Sequence, residues 1–102
     1  MKMVIDVNAK GEMREAAFFY ENHRKGLGQD FLDEVETAFN QIKLHPEMWR
    51  VMKGKFRRYL THRFPYAVIY ALETEIIYVA AIMHTKRKPD YWINRVKYRS
   101  DH

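Results

Sequence analysis

The amino-acid sequence predicts an α+β fold, in which a short N-terminal strand and an antiparallel helical hairpin pack on a small antiparallel β-sheet. The first half of the chain repeats its apolar residues at helical spacing, whereas the second half carries Val-, Ile- and Tyr-rich runs typical of buried strands. Helices followed by strands favour the α+β class. The chain has 102 residues, so we expect one domain over residues 1–102, ordered β-α-α-β-β-β and ending in a basic tail.

The first half predicts one strand and two helices. Met3–Val7 is a short β-prone run, and Glu12–Arg24 has apolar residues at helical spacing. Glycines within residues 25–28 end that helix, because glycine relieves the positive-φ cost of a helix C-cap. Pro46 ends the second helix by disfavouring a helical conformation at His45. This second helix has the clearest apolar stripe of the sequence, formed by Phe31, Val35, Ala38, Phe39 and Ile42.

The second half predicts three strands. Phe56–Arg63 alternates in pairs and has no purely apolar face. Tyr66–Leu72 and Ile76–Met83 are apolar at both parities, as in strands that are covered on both faces. The link over residues 73–75 is short enough for a hairpin. We expect a last turn near Asp90–Val96.

The composition excludes several classes of function. The chain has no cysteine, which excludes disulfides and a thiol nucleophile, and its five histidines lack metal-ligand spacing. Its four glycines form no phosphate-binding loop, so we expect neither a metal nor a cofactor. The longest apolar run, Ile76–Met83, is far shorter than the roughly 20 residues of a membrane span. We therefore expect a soluble cytoplasmic protein without membrane contact.

Charge is divided unevenly along the chain. Residues 1–50 carry 7 Lys and Arg against 9 Asp and Glu, a net charge of −2, whereas residues 51–102 carry 11 against 4, a net charge of +7. The basic residues of the second half form two clusters, Arg57–Arg63 and Lys86–Arg99, and the second contains Tyr91 and Trp92. This asymmetry indicates an anionic partner for the second half.

An antiparallel meander of the late strands is expected to join the two clusters at one end of the sheet, with Arg57 and Arg58 near His84 and Arg87. Metal-free RNA cleavage uses such groups: cations stabilise the transition state, a base removes the 2′-OH proton, and aromatic rings stack an unpaired base. The same residues can bind an anionic partner without catalysis, or protect a strand edge from aggregation. The residue types leave all three roles open.

Four segments give the chain a resemblance to a known family. Residues 26–35 are GLGQDFLDEV, residues 57–60 are RRYL, residues 63–66 are RFPY, and residues 83–92 are MHTKRKPDYW. Together they resemble the RelE/ParE superfamily of bacterial toxins over roughly residues 2–95. The resemblance implies a growth-arresting toxin of a type II, plasmid-stabilisation-type module, with a cognate antitoxin as partner. It also implies a homodimer or a toxin–antitoxin hetero-oligomer.

The resemblance allows two targets and two sets of site residues. ParE-like members act by binding DNA gyrase, and the residues expected to bind the target are Arg57, Arg58, His62, Lys86, Arg87, Lys88, Trp92 and Arg95. RelE-like members are endoribonucleases that cleave mRNA on the ribosome, and the residues expected to be catalytic in that case are Arg58, Arg63, His84, Arg87 and Tyr91. In that case, replacing both His84 and Arg87 by alanine should abolish toxicity.

The segments favour the ParE-like branch. The lysine-rich segment of RelE-like nucleases is reduced here to Lys53 and Lys55. A non-toxic nucleic-acid-binding module is a further alternative. Phe18, Met48 and Trp49 are candidates for an antitoxin-binding groove, although core packing is favoured for each.

Overall fold

A computed structural model describes residues 1–95 and confirms the predicted α+β fold. The elements are β1 (Lys2–Ile5), α1 (Val7–His23), α2 (Leu27–Leu44), β2 (Arg50–Lys53), β3 (Phe56–Leu60), β4 (Tyr66–Glu73) and β5 (Ile76–His84). Backbone hydrogen bonds from Ile93 to Asp90 and from Arg95 to Trp92 close the expected last turn. Val96 and the rest of the second basic cluster, including Lys97 and Arg99, lie outside the described residues.

The five strands form one sheet in the order β1-β5-β4-β3-β2. The sheet is mixed, because β1 joins the predicted antiparallel meander by pairing with β5 in parallel, with Lys2 opposite Ile76 and Ile5 opposite Val79. Strand β2 was not predicted, since its four residues contain two cations and no buried side chain. The sequence therefore predicts the central meander correctly and misses how the sheet is completed at both edges.

Helix α1 begins at Val7, five residues earlier than its apolar pattern predicts. The Asp6 carboxylate accepts a hydrogen bond from the Asn8 backbone N–H at 2.8 Å, which satisfies a free donor of the first turn. The Tyr78 hydroxyl also donates to Asp6. Asp6 therefore lies between β1 and α1, caps the first turn of α1, and connects this junction to β5 through Tyr78.

The helical hairpin closes through a tight contact between its two helices. Gly26 precedes α2 with a φ of +88°, a conformation that side chains with a Cβ rarely adopt. A Cβ on Gly28 would lie 2.5 Å from the Ala17 carbonyl oxygen, so only glycine allows this approach. The predicted Gly-rich break is confirmed as the turn of the hairpin.

The sheet has a different cover on each face. On one face, the predicted α2 stripe is buried against strand side chains that include Val68, Tyr70 and Ile77. On the other, which we call the helix-free face, Tyr78 and Ile69 pack with Trp92 of the last turn. The helix-free face is thus open wherever the last turn does not cover it. Within residues 1–95, neither helix is both long and apolar enough to cross a bilayer.

Candidate functional site

The meander forms as predicted but separates the residues that it was expected to join. Phe56 at the start of β3 lies opposite Ala71, which lies opposite Tyr78 near the start of β5. His84 ends β5 opposite Tyr66, beyond the last residue of β3. The expectation that Arg57 and Arg58 lie near His84 and Arg87 is therefore wrong. In a meander the first and third strands run in the same direction, so their starts are neighbours.

Two of the basic residues after β5, Arg87 and Arg95, converge instead on one carboxylate, that of Glu12 in α1. Glu12 accepts hydrogen bonds from the Tyr91 hydroxyl at 2.6 Å and from both terminal nitrogens of Arg95 at 3.1 and 3.2 Å. Arg87 approaches it at 3.4 Å, and the Ile82 backbone N–H donates at 3.0 Å. The Glu12 side chain is only 13% exposed. We call these five residues the Glu12 cluster.

Tyr91 has its phenol protonated within this cluster. The Arg87 guanidinium carbon lies 3.6 Å from the centre of the Tyr91 ring, a cation–π distance. Burial raises the pKa of Tyr91, and the hydrogen bond to the Glu12 carboxylate raises it further. The hydroxyl is therefore a donor at neutral pH.

These phenols make the stability of the protein depend on alkaline pH. An unfolded tyrosine ionises at its ordinary pKa of 10.0, whereas in the folded chain the pKa of Tyr91 is raised and burial raises that of Tyr70 to about 12. Above pH 10 the folded state binds more protons, so the contribution of these tyrosines to the free energy of unfolding should be constant below pH 9 and fall above pH 10. Urea unfolding at stepped pH measures this slope. Tyr91→Phe should make it shallower, and an unchanged slope would contradict the assignment.

His84 lines a cleft between α1 and the end of β5. Its ring lies edge-on to that of Tyr66 at 5.2 Å, and its Nδ1 accepts the Lys86 backbone N–H at 3.1 Å. That bond leaves only Nε2 for other partners. The remaining wall of the cleft includes Glu12, Glu15, Phe19 and Arg87.

The cations of β3 and the following loop are dispersed. Arg57 points toward the helices and donates to the carbonyl oxygens of Glu47 and Trp49 at 2.9 and 2.8 Å. Arg63 forms an ion pair with Asp30 of α2 at 3.1 Å. Both guanidiniums thus have protein partners. His62, by contrast, is an exposed residue whose ring lies 6.3 Å from that of Tyr59.

Arg58 is the exception on β3, since it lies on the helix-free face, half-buried and opposite Ile69. Lys86 and Lys88 are exposed in the segment that follows β5. Among residues 1–95, none of these three side chains forms an ion pair. They are therefore the predicted target-binding cations that are available to a partner.

Trp92 does not lie at the surface. Its side chain is fully buried, and its ring packs edge-to-face on that of Phe56 at 4.9 Å. Its indole N–H has no hydrogen-bond partner among the described residues. The ring is thus part of the core, and in this conformation it cannot contact a target.

Three apolar residues are candidates for antitoxin binding; two of them lie at the surface and one packs in the core. Phe18 and Met48 are 68% and 67% exposed, so the expectation that they pack in the core is wrong. Trp49 does pack, with its ring 4.6 Å from that of Tyr59. Among residues 1–95, no group of acidic residues and histidines could hold a metal ion.

Sequence reasoning missed Glu12 and Arg50. Glu12 lies between Ala9 and Ala16 on the buried stripe of α1. An acid on a buried stripe is a signal that it has a partner. Arg50 had no signal, because β2 itself was not predicted.

Comparisons with known proteins agree with this architecture. A family model described as the ParE toxin of the type II toxin–antitoxin system parDE matches residues 4–89. A solved structure described as the chromosomal ParDE toxin–antitoxin system from P. aeruginosa superposes with a TM-score of 0.65 at 13% sequence identity, covering 84% of this chain and 97% of that chain. At that identity the likeness supports the fold alone. No curated protein sequence matches the chain significantly.

The fold and the family model together define a class, the type II toxins of the RelE/ParE superfamily. Within that class, the chain belongs to the ParE toxin family. The earlier resemblance is thereby confirmed, including the preference for the ParE-like branch.

Proposed function

We propose that this toxin arrests growth by binding DNA gyrase rather than by cutting RNA, and that a cognate antitoxin neutralises it. The Glu12 cluster is the observation that carries the proposal, because it occupies groups that a nuclease would direct at the scissile phosphate. The match to the ParE family supports the same target class.

A nuclease of this fold would need free cations and a free base at one place. Here Arg87 and Arg95 share the Glu12 carboxylate, which compensates their charge locally. The pKa of Tyr91 is raised, so its phenol cannot act as a base at neutral pH. Stabilisation of a phosphorane-like transition state requires cations aimed at the phosphate. The Glu12 cluster aims them at a carboxylate instead.

Binding requires less than catalysis. Lys86 and Lys88 project from the segment after β5, and Arg58 lies on the helix-free face, each without an ion pair among residues 1–95. Such cations accelerate association with an anionic partner and orient it. Gyrase bound to DNA is an anionic target of this kind, because the DNA carries negatively charged phosphates.

Purified protein added to gyrase and supercoiled plasmid should yield gyrase–DNA cleavage complexes without any drug. The double variant Lys86→Ala/Lys88→Ala should weaken this effect about tenfold, because two target contacts are removed. His84→Ala, which alters only the expected nuclease base, should leave it unchanged. Cleavage of translated mRNA that is lost in His84→Ala would overturn the proposal in favour of a ribosome-dependent endoribonuclease.

Neutralisation has its own test. The reading frame next to the toxin gene should encode a short protein that binds this chain, and its co-expression should restore growth. Harmless expression of the toxin alone would favour a non-toxic nucleic-acid-binding module instead.

A further inference from the structure

The helix-free face carries two arginines that lie directly opposite each other. The β2–β3 register pairs Arg50 with Arg58, and side chains in this relation have Cβ atoms about 5 Å apart. Among residues 1–95, neither guanidinium forms an ion pair. Like charges in this position destabilise a sheet. The pair therefore lacks anionic groups that would compensate it.

A β-bulge brings a third cation to the same face. In a regular strand, Lys53 would lie on the opposite face from Arg50, because side chains alternate and the two residues are three apart. The β2–β3 register shifts between Val51 and Lys53, however, and places Lys53 opposite Phe56. Phe56 packs with Trp92 on the helix-free face, and residues opposite each other share a face. The extra residue of the bulge therefore returns Lys53 to the face of Arg50.

A fourth cation comes from the segment that follows β5. Lys53 and Lys88 line a cleft of about 290 Å³, whose other walls are Met52, Pro89 and Asp90. Neither lysine forms an ion pair within the described part of the chain. One carboxylate against two ammonium groups leaves the cleft with a net positive charge. The basic strip is the name that we give to Arg50, Lys53, Arg58 and Lys88.

The geometry points to the basic strip as a binding surface for the phosphate backbone of duplex DNA, namely the segment that gyrase holds. A strand rises about 3.3 Å per residue, so Arg50 and Lys53 are roughly 10 Å apart along β2. One strand of B-DNA carries a phosphate per about 3.4 Å of helix axis, so the basic strip spans about three successive phosphates. A guanidinium binds phosphate oxygens in bidentate fashion, and a lysine binds them as a point charge.

The same surface suits other anionic partners less well. Single-stranded nucleic acid requires rings on which its bases stack, whereas Trp92 is buried and Tyr91 is covered by Arg87. Two directly opposed arginines require anionic groups that are equally close together. Duplex DNA supplies them all along its length, with one charge per about 1.7 Å of axis, whereas an acidic protein must place each carboxylate individually. Because phosphate contacts carry no sequence information, the binding should not depend on base sequence.

This inference rests on the proposed function only for the source of the DNA. The basic strip itself is tested with DNA alone, in the absence of gyrase. A toxin that yields gyrase cleavage complexes but does not bind a duplex would contradict the basic strip and leave the proposed function intact. A toxin that binds a duplex but yields no cleavage complexes would contradict the proposed function and leave the basic strip intact.

The probe is a fluorescently labelled duplex of about 20 base pairs, titrated with the full chain while anisotropy is recorded. Four phosphate contacts should lower the affinity roughly 150-fold between about 50 and 200 mM salt, a slope of about −3.6 in log K against log salt. Arg50→Gln and Lys53→Gln should each make this slope shallower by about 0.9 and weaken binding about tenfold at the lower salt concentration. Lys43→Gln removes an exposed cation at the end of α2 and is the matched control, which should change neither quantity.

Three further probes decide which class of partner the surface accepts. A second duplex of unrelated sequence should bind equally well, whereas a single strand of the same length and a polyglutamate peptide of equal charge should both bind more weakly. The absence of duplex binding, or a salt slope that is unchanged in both variants of the basic strip, would overturn the proposal. A preference of more than about tenfold between the duplexes, or equal or tighter binding of the single strand or the peptide, would also overturn it.

Discussion

Replacing Glu12 by alanine should lower the free energy of unfolding by about 3 kcal/mol, the low end of the cost of removing one partner of a buried ion pair, because both side chains of this pair are only partly buried. The Arg95 side chain is 18% exposed and would lose its carboxylate partner. The Tyr91 hydroxyl and the Ile82 backbone N–H would lose the same hydrogen-bond acceptor. Urea unfolding of wild type and variant measures the loss.

Glu15→Ala provides the matched control, since Glu15 lies one turn further along α1, is exposed, and forms no ion pair among the described residues. We expect it to change stability by less than about 0.5 kcal/mol. Glu12→Gln should fall between the two variants, because an amide oxygen still accepts hydrogen bonds. Equal stability of Glu12→Ala and Glu15→Ala would show that the cluster does not hold the last turn to α1.

Trp92→Ala should destabilise the protein by about 3–5 kcal/mol, as for other large aromatic side chains removed from a core. The ring is fully buried between the sheet and the last turn and packs on Phe56. Its removal leaves a cavity under the only described segment after β5. Thermal unfolding should show the loss as a lower Tm.

Two further variants separate packing from exposure. Trp92→Phe should cost less than Trp92→Ala, because the phenyl ring fills part of the volume and removes an unpaired buried N–H. Phe18→Ala removes a large side chain that is 68% exposed and should leave stability nearly unchanged. If Trp92→Ala abolished gyrase binding at wild-type stability, Trp92 would be a contact residue and not a core residue.

The predictions for Glu12→Ala and Trp92→Ala both concern the attachment of the last turn to the rest of the protein. Trp92 supplies apolar burial on the helix-free face, and Glu12 supplies charge pairing from α1. Together they position the segment that carries Lys86 and Lys88. The proposed target contacts therefore depend on residues that do not themselves touch the target.

Local pattern was enough for much of the fold. The α2 stripe from Phe31 to Ile42 predicted a helix because amphipathic periodicity is a property of neighbouring residues. Buried strands were likewise predicted from a local pattern, the runs of apolar residues at Tyr66–Leu72 and Ile76–Met83. The structure extends each strand by a single residue. The separation of acidic and basic halves is likewise a property of composition.

The partners of the charged residues could not be predicted in this way. Arg57 and Arg58 are adjacent in sequence, yet one binds backbone carbonyls on the helix side and the other lies opposite Arg50 on the helix-free face. Glu12 binds Arg95 across 83 residues of chain. Composition indicated a basic half, but strand register and helix packing bring distant residues together, and these contacts decide which cations are compensated and which are available to a partner.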